Sequence, residues 1–566
     1  MIKSPSYFYY LLPLLYLCIG TIQAQTPYLS HRQYTLNDGL PSMQIFNIMQ
    51  DHQGFIWLAS PMGLSRFDGQ KFRTYTTADG LPTNTIIDFK QFIGDDKLWL
   101  QTTSRNDSSY YFLDGKIHRD TLKIFSNTSN FGDIIMGYQS YHYLAAPLLP
   151  NQKEYFKQSV SCTLSEGKHT LWIGTWGGGV YKCDNYGTDS LRVQQILSNT
   201  TISCIFKDRE HNYWFATLDN GIYLLANAAV YTYDTSNGLL HNNINALSLD
   251  HQGTLWLGDI KSNLSSISRQ GIQHLRADDF DRYNRIHHIY IDEKQNKWLS
   301  SDASLSIIDD KGEGLIISLE GIKQVIATKD KQLWLGKHQH PTLLNTYEGL
   351  EHKFAGLDTL GKVNSISLDG QDNLWLGTNH GLYYFVSGKL HALQTQHPLL
   401  SKPILHLTHD QQGRLWIATD GYGIIIKKGK KLIPITKANG LTSNICRKIF
   451  IDSQDKAWVA SNQGVNTISL QGMDNRSLVT QHYTKLHGLA SNHINDLLVQ
   501  GDSVFIATTN GLNLLRPSQL SPTEHPPSIH ISKLQINNRD TTLQGYYTLP
   551  YNHNNITIHY LGLSYK

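Results

Sequence analysis

The residues best equipped for chemistry in this sequence stand singly rather than at a spacing that would build a reactive site. His287-His288 and His338-Gln339-His340 are the densest histidine pairs. A metal site needs three or four converging donors. Neighbouring residues on a strand point to opposite faces, and no third or fourth ligand stands close by, so these pairs read as solvated or locally satisfied. Gly177-Gly178-Gly179 lies inside a hairpin pattern and reads as a turn, not a phosphate cradle. Neither a Gly-x-Ser-x-Gly elbow nor a P-loop is found. The expectation is therefore no catalytic residue, no metal ligand and no cofactor. What remains are side chains suited to stacking and hydrogen bonding: Trp176, Asn220, His380, Asp420 and Tyr422 stand four to six residues after a recurring tryptophan. Trp176 falls outside the packing register and can stack on a sugar face, while the others can hydrogen-bond a polyhydroxylated ligand.

The elements that carry these residues come from a repeat. Asp51-His-Gln-Gly-Phe-Ile-Trp57 recurs at Asp250 to Trp256, Asp369 to Trp375 and Asp410 to Trp416, with further copies at Trp99, Trp172, Trp214, Trp298, Trp334, Trp458 and Phe505. Neighbouring copies are mostly 41 or 42 residues apart, and the 73-residue interval after Trp99 has room for a degenerate copy around Tyr141 to Leu149. Each unit reads as four short strands; in the first, these are Ile45 to Gln50, Phe55 to Ser60, Gly63 to Phe67 and Phe72 to Thr76. The aspartate six residues before the tryptophan can close a turn by accepting backbone amides. The small residue two positions after it (Ala59, Gly174, Ala216, Gly258, Gly377, Ala418) admits a neighbouring backbone, and the tryptophan fills the space between sheets. Four strands per unit at this period indicate β-propeller blades. About twelve units exceed one ring, so two propellers are expected, at 25–310 and 311–522. The last unit runs out at Arg516-Pro517-Ser518 after its third strand, and Tyr28 to Thr35 is expected to complete that blade.

Composition limits the function. With 49 basic and 46 acidic residues the formal charge is only +3, which removes the electrostatic case for nucleic acid. Lys3, the apolar run Tyr7 to Ile19 and the small Ala24 before Gln25 read as an export signal over 1–24. Cys162 and Cys204 each stand ten residues before a repeat tryptophan and Cys446 twelve before another, positions of apolar strand residues rather than of a disulfide framework.

A second phrase lies between units: Asn37-Asp-Gly-Leu-Pro-Ser, Ala78-Asp-Gly-Leu-Pro-Thr-Asn, Ser236-Asn-Gly-Leu-Leu-His-Asn, Ala438-Asn-Gly-Leu-Thr-Ser-Asn and Leu486-His-Gly-Leu-Ala-Ser-Asn. Joined to the tryptophan phrase, it resembles the two-component regulator propeller repeat from Tyr28 to about Pro517. Pro526-Pro-Ser-Ile-His-Ile and Leu549-Pro-Tyr to Leu563-Ser-Tyr565 are similar to the opening of the three-tyrosine Ig-like module that follows such propellers. Only about forty residues of it are present, so 523–566 is expected to form an incomplete Ig-like β-sandwich.

The resemblance implies an all-β, exported periplasmic sensor ectodomain of a truncated histidine kinase or hybrid regulator. Its ligand would be a small molecule or oligosaccharide, its partner a second copy through the C-terminal region, and its membrane contact only a missing C-terminal segment. It would not itself be an enzyme. Two other classes fit the same fold: a secreted interaction scaffold, and a propeller polysaccharide lyase or glycosidase, which needs an acid, base or metal cluster on one ring face.

Overall fold

Alternating apolar runs separated by turn residues fold each repeat into a four-stranded antiparallel meander. In the first copy the strands are Asn47–Gln50, Ile56–Ser60, Gly63–Phe67 and Phe72–Tyr75, paired in that order. The computed structural model describes residues 27–121 apart from 93 and 104–108, and 158–275 apart from 189 and 227–228. It further describes 285–469 apart from short gaps within 311–361, then 479–520, and 528–565 apart from 542–545, 547 and 552–554. The expected export signal at 1–24, the degenerate copy around Tyr141 to Leu149, and the His338 and His340 pair lie outside the described residues.

The spacing inside the repeat follows from one carboxylate. Asp51 Oδ1 accepts the Phe55 amide at 2.9 Å and Oδ2 accepts the Trp57 indole N–H at 2.6 Å. The same indole bond joins Trp214 to Asp208 (2.8 Å), Trp416 to Asp410 (2.7 Å) and Trp458 to Asp452 (2.9 Å). One oxygen thus closes the turn and the other satisfies a buried donor that would otherwise be costly. Trp57, Trp172, Trp214 and Trp416 are almost wholly buried, whereas Trp375 is half-buried. The glycine two positions after Trp172, Trp256 and Trp375 admits a side chain rather than the backbone expected. A Cβ at Gly258 would stand 2.5 Å from Ile286, and one at Gly377 2.5 Å from Ile404, each the first inner-strand residue of the next blade.

The Gly-Leu phrase is a capped turn. Thr35, Thr76, Asp234, Thr436 and Thr484 each begin a three-residue 3-10 turn with a reciprocal capping box. The glycine that follows takes positive φ, +89° at Gly39 and +97° at Gly488, and the next leucine is buried.

The blades join into two rings. In the second, the inner strands of the Trp256, Trp298, Trp334, Trp375, Trp416, Trp458 and Phe505 blades contact one another in a closed cycle. In the first, the Trp172, Trp214, Trp57 and Trp99 blades are consecutive neighbours. Ring closure departs from expectation. The strand Arg32–Tyr34 completes the Trp214 blade by pairing with Ile222–Leu225, not the Phe505 blade. The Phe505 blade instead takes Val230–Tyr233 as its fourth strand, beside Gly511–Leu515. The rings therefore divide between Leu225 and Val230 rather than at 310, because a strand preceding each ring, not one inside it, supplies the missing outer edge. Two further residues, Tyr28–Leu29, pair with Val230–Tyr233, so one short segment gives a strand to each ring.

The C-terminal residues form a three-stranded sheet, Ser528–Ile536, Arg539–Thr541 and Ile556–Leu563. It is held to the first ring by Tyr565. That hydroxyl accepts from Ile56 N at 3.1 Å and lies 2.8 Å from Gly54 O, while the ring packs on Phe67 and Trp214.

Candidate functional site

All five sequence-predicted site residues lie on loops joining the second and third strands of a blade, and the strand-end threonine shapes three of these loops. Thr217 Oγ1 donates to Gly221 O and accepts from Asn220 N, both at 2.8 Å. Thr378 does the same for Gly381 and His380, and Thr419 for Gly423 and Tyr422. Trp176 is half-buried, its amide bonded to Ser159 O at 2.9 Å. The five do not converge. Trp176 and Asn220 belong to neighbouring blades of the first ring, and His380, Asp420 and Tyr422 to neighbouring blades of the second. Tyr422 carries the Lys402 ammonium 4.4 Å over its ring, and Asn220 O accepts from Gln33 Nε2 at 2.9 Å.

A second feature was not expected. In every blade of the second ring the pairing between first and second strands shifts by one residue near its start, as between Ile286 and His288 or Cys446 and Lys448. Such a bulge re-aims the extra side chain. His287 and His288 therefore do not point apart: His287 Nε2 lies 2.5 Å from both Asp302 Oδ1 and Lys323 Nζ, and His288 Nδ1 meets Val325 N at 3.5 Å, so both reach the next blade. Burial pushes His287 down to about 4, against the pull of Asp302.

The residue after the bulge serves a belt around the ring's inner wall. Gln324 Oε1 accepts from Ile366 N, Ser365 Oγ from Leu407 N, both at 3.0 Å, His406 Nδ1 from Ile449 N at 3.4 Å and Asp496 Oδ2 from Leu247 N at 3.0 Å. Lys448 cannot accept and pairs with Asp496 at 3.4 Å instead. These polar residues are committed to joining blades. Among the described residues no group of three or more histidine, cysteine, aspartate or glutamate side chains could hold a metal ion.

A concavity lined by aromatic and polar groups lies where the rings meet. A cavity of about 590 Å³ is lined by the segment Tyr28 to Tyr34, by Leu224 and Ala226 of the first ring, and by Thr232, Lys485 to Ala490 and Asn510 of the second, with Tyr565 at one end. Its volume falls within the range of small-ligand pockets. Tyr28 is anchored by its hydroxyl, which donates to Asp234 at 2.6 Å, leaving its ring as a wall. His31 packs between Tyr28 and Tyr223, and burial pushes its pKa down, so the imidazole is neutral. Arg32 stacks 4.4 Å over Tyr34. Aromatic faces flanked by hydrogen-bonding groups suit a sugar-like ligand. Sequence alone does not mark this segment as a site, because its likeness to an outer strand points only to ring closure. The signal was there in its aromatic and basic residues, Tyr28, His31, Arg32 and Tyr34.

Comparison with known proteins agrees with this architecture. The chain matches the two component regulator propeller family model at residues 39–61, 196–219, 238–261 and 398–421. It is 23% identical to Histidine kinase P4 of Formosa agariphila over 38% of this chain, and that match spans 17% of the kinase's length. Its fold is similar to an extracellular domain assigned to a hybrid two component system of B. thetaiotaomicron, with a TM-score of 0.63 at 16% identity, covering 95% of this chain and 91% of that one. A second such domain of the same organism aligns over the same shares with a TM-score of 0.45 at 18% identity.

Proposed function

We propose that this chain, which carries two-component regulator propeller repeats, is the periplasmic ligand-sensing ectodomain of a two-component regulator. The observation that supports it most is the repeat together with a two-ring fold shared over nearly the whole chain with the extracellular domain of such a system. The ligand is a small molecule or oligosaccharide, and the inter-ring cavity is where it binds. A ligand there touches the two places where the chain passes from one ring to the other, at Ser30 and His31 and after Leu225. If it fits one disposition of the rings better than another, binding shifts that equilibrium, and only such differential affinity can carry a signal. The loop residues Trp176, Asn220, His380, Asp420 and Tyr422 remain secondary proposals on the same scaffold.

A thermal-shift screen of the purified chain against oligosaccharides and small metabolites, with product analysis of each hit, tests this reading. A ligand that raises the melting temperature and is recovered unchanged is the expected result, since binding the native state alone stabilises it. A ligand recovered cleaved would make the chain an enzyme. A folded protein stabilised by nothing in the screen would leave an interaction scaffold.

A further inference from the structure

One blade of the second ring breaks the repeat at a core position. The residue before the repeat tryptophan is a buried leucine in four blades of that ring, at Leu255, Leu333, Leu374 and Leu415. In the Trp298 blade its place is taken by Lys297, which is only 5% exposed. Lysine is almost never so buried without a partner. Here the ammonium stands 4.8 Å over the Trp256 ring of the preceding blade and donates one long hydrogen bond, 3.4 Å, to Asp309 O. It forms no ion pair with a described residue, although it can donate three hydrogen bonds. The preceding blade is hollowed out beside it. Opposite Trp256 on the third strand stands Ser266, where the Trp214, Trp375 and Trp416 blades carry the larger Leu224, Tyr384 and Ile426. Gln273 pairs with Ser266 from the outer strand. Between the Trp256 and Trp298 blades this leaves a cleft of about 800 Å³ with Lys297 in its wall. The cleft lies among the turns that join first to second and third to fourth strands, at the end of the blades opposite the capped turns that line the inter-ring cavity. Arg269 and Lys294 add positive charge. Of the two carboxylates present, Asp250 is committed to the Gln252 and Thr254 amides and the Trp256 indole, and Asp310 is exposed on the turn beside Lys297. The side chains of Gln252, Gln273 and Gln500 border the same space.

We propose that this interblade cleft binds a short peptide, about two or three residues long, with its terminal carboxylate on Lys297 and its amide groups against the glutamine side chains. A carboxylate supplies the partner that the buried ammonium lacks, through a charge-assisted hydrogen bond. Carboxamide side chains both donate and accept, as the peptide groups of such a ligand require. Asp310, of opposite charge on the adjoining turn, favours a ligand that carries an amine as well as a carboxylate over a purely anionic one. A sugar ring finds no open aromatic face here, because Lys297 covers buried Trp256. The site lies within one ring and is independent of the sensing assigned to the cavity between the rings.

Saturation-transfer NMR titrations of the whole chain test the assignment with two probes: a mixture of tripeptides with free carboxyl termini, and the same mixture amidated at that end. The free acids are expected to bind and the amides to bind at least about tenfold more weakly, the loss typical of a charge-assisted hydrogen bond. Lys297→Leu restores the residue of the neighbouring blades. It is expected to keep or raise the melting temperature, because a buried charge without an ion-pair partner is removed, and to weaken the free acids by the same factor. Ser266→Leu leaves Lys297 in place and fills the cleft as Leu224 does in the Trp214 blade, and it is expected to abolish binding of the free acids. Amides that bind as tightly as the acids, free-acid binding unchanged in Lys297→Leu, or no binding of either mixture to the folded chain overturns the proposal. None of these results touches the inter-ring cavity, whose own test is the ligand screen above.

Discussion

At the scale of single residues, the most consequential pattern is the carboxylate shared between a turn and an indole. In the Trp416 blade it has a third task, because Arg414, wholly buried, places Nε 2.5 Å from Asp410 Oδ2 and Nη2 3.0 Å from Asp455 Oδ2. Replacing Asp410 by Ala would orphan the Trp416 indole and leave a buried guanidinium half-paired. Breaking a buried pair from one side costs about 3–5 kcal/mol, and that loss is expected in chemical denaturation of Asp410→Ala. Asp410→Asn, which keeps an acceptor, should lose less. The turn-closing role of the aspartate was legible from its recurrence six residues before each tryptophan, but its bond to the indole was not, since spacing alone does not say which way a side chain faces. A pH effect belongs to this scale as well. Burial, with the charge of Lys448, pushes His288 down to about 3, and burial pushes His406 well below its usual range, with Lys448 and His288 adding to it. Both stay neutral in the folded ring beside Lys448 and Asp496. The unfolded chain takes up protons near pH 6.5 that the native state refuses, so the stability they contribute is full above about 6.5 and is lost as pH falls toward about 3. The urea midpoint should fall between pH 7.5 and 4.5, and fall less in a His288→Gln, His406→Gln double variant. An equal fall in both would assign the acid sensitivity to other groups.

At the scale of elements, strands and blades were readable because each unit has its own alternation and its own turn chemistry. Ring closure was not. Arg32 to Tyr34 and Val230 to Tyr233 are both outer-strand sequences followed by the Gly-Leu turn, and either could pair with any blade lacking a fourth strand. The choice is made by contacts distant in sequence, such as Tyr34 packing on Phe67, Phe72 and Trp214. Tyr34→Ala should cost about 3–5 kcal/mol, as large-to-small changes at buried aromatics do. If it speeds amide exchange at Ile222–Leu225 without touching the Phe505 blade, the pairing is as described. The docking of the C-terminal sheet was equally invisible in sequence, because Tyr565 reaches Gly54 and Ile56 across the whole chain. Tyr565→Phe strips the Ile56 amide of its partner and should lower stability by about 1–3 kcal/mol. A neutral result would show that water replaces the hydroxyl.

At the scale of the whole molecule, the chain passes between the two rings twice, at Ser30 and His31 and after Leu225, and the proposed sensing reads the relative position of those rings. The loop residues singled out from sequence sit on rigid blades and divide between the rings, whereas the inter-ring cavity is built from segments that belong to both. It was hidden in the sequence because the segments that line it, around Tyr28 and around Lys485, are more than four hundred residues apart and border one cavity only once each ring has closed. The measurement that tests this most directly is hydrogen–deuterium exchange of the chain with and without a ligand that raises its melting temperature. New protection is expected at Tyr28 to Tyr34, at Leu224, Ala226 and Thr232, and at Lys485 to Ala490. Protection confined to the loops at His380 and Asp420 to Tyr422, or at Trp176 and Asn220, with the seam unchanged, would contradict it.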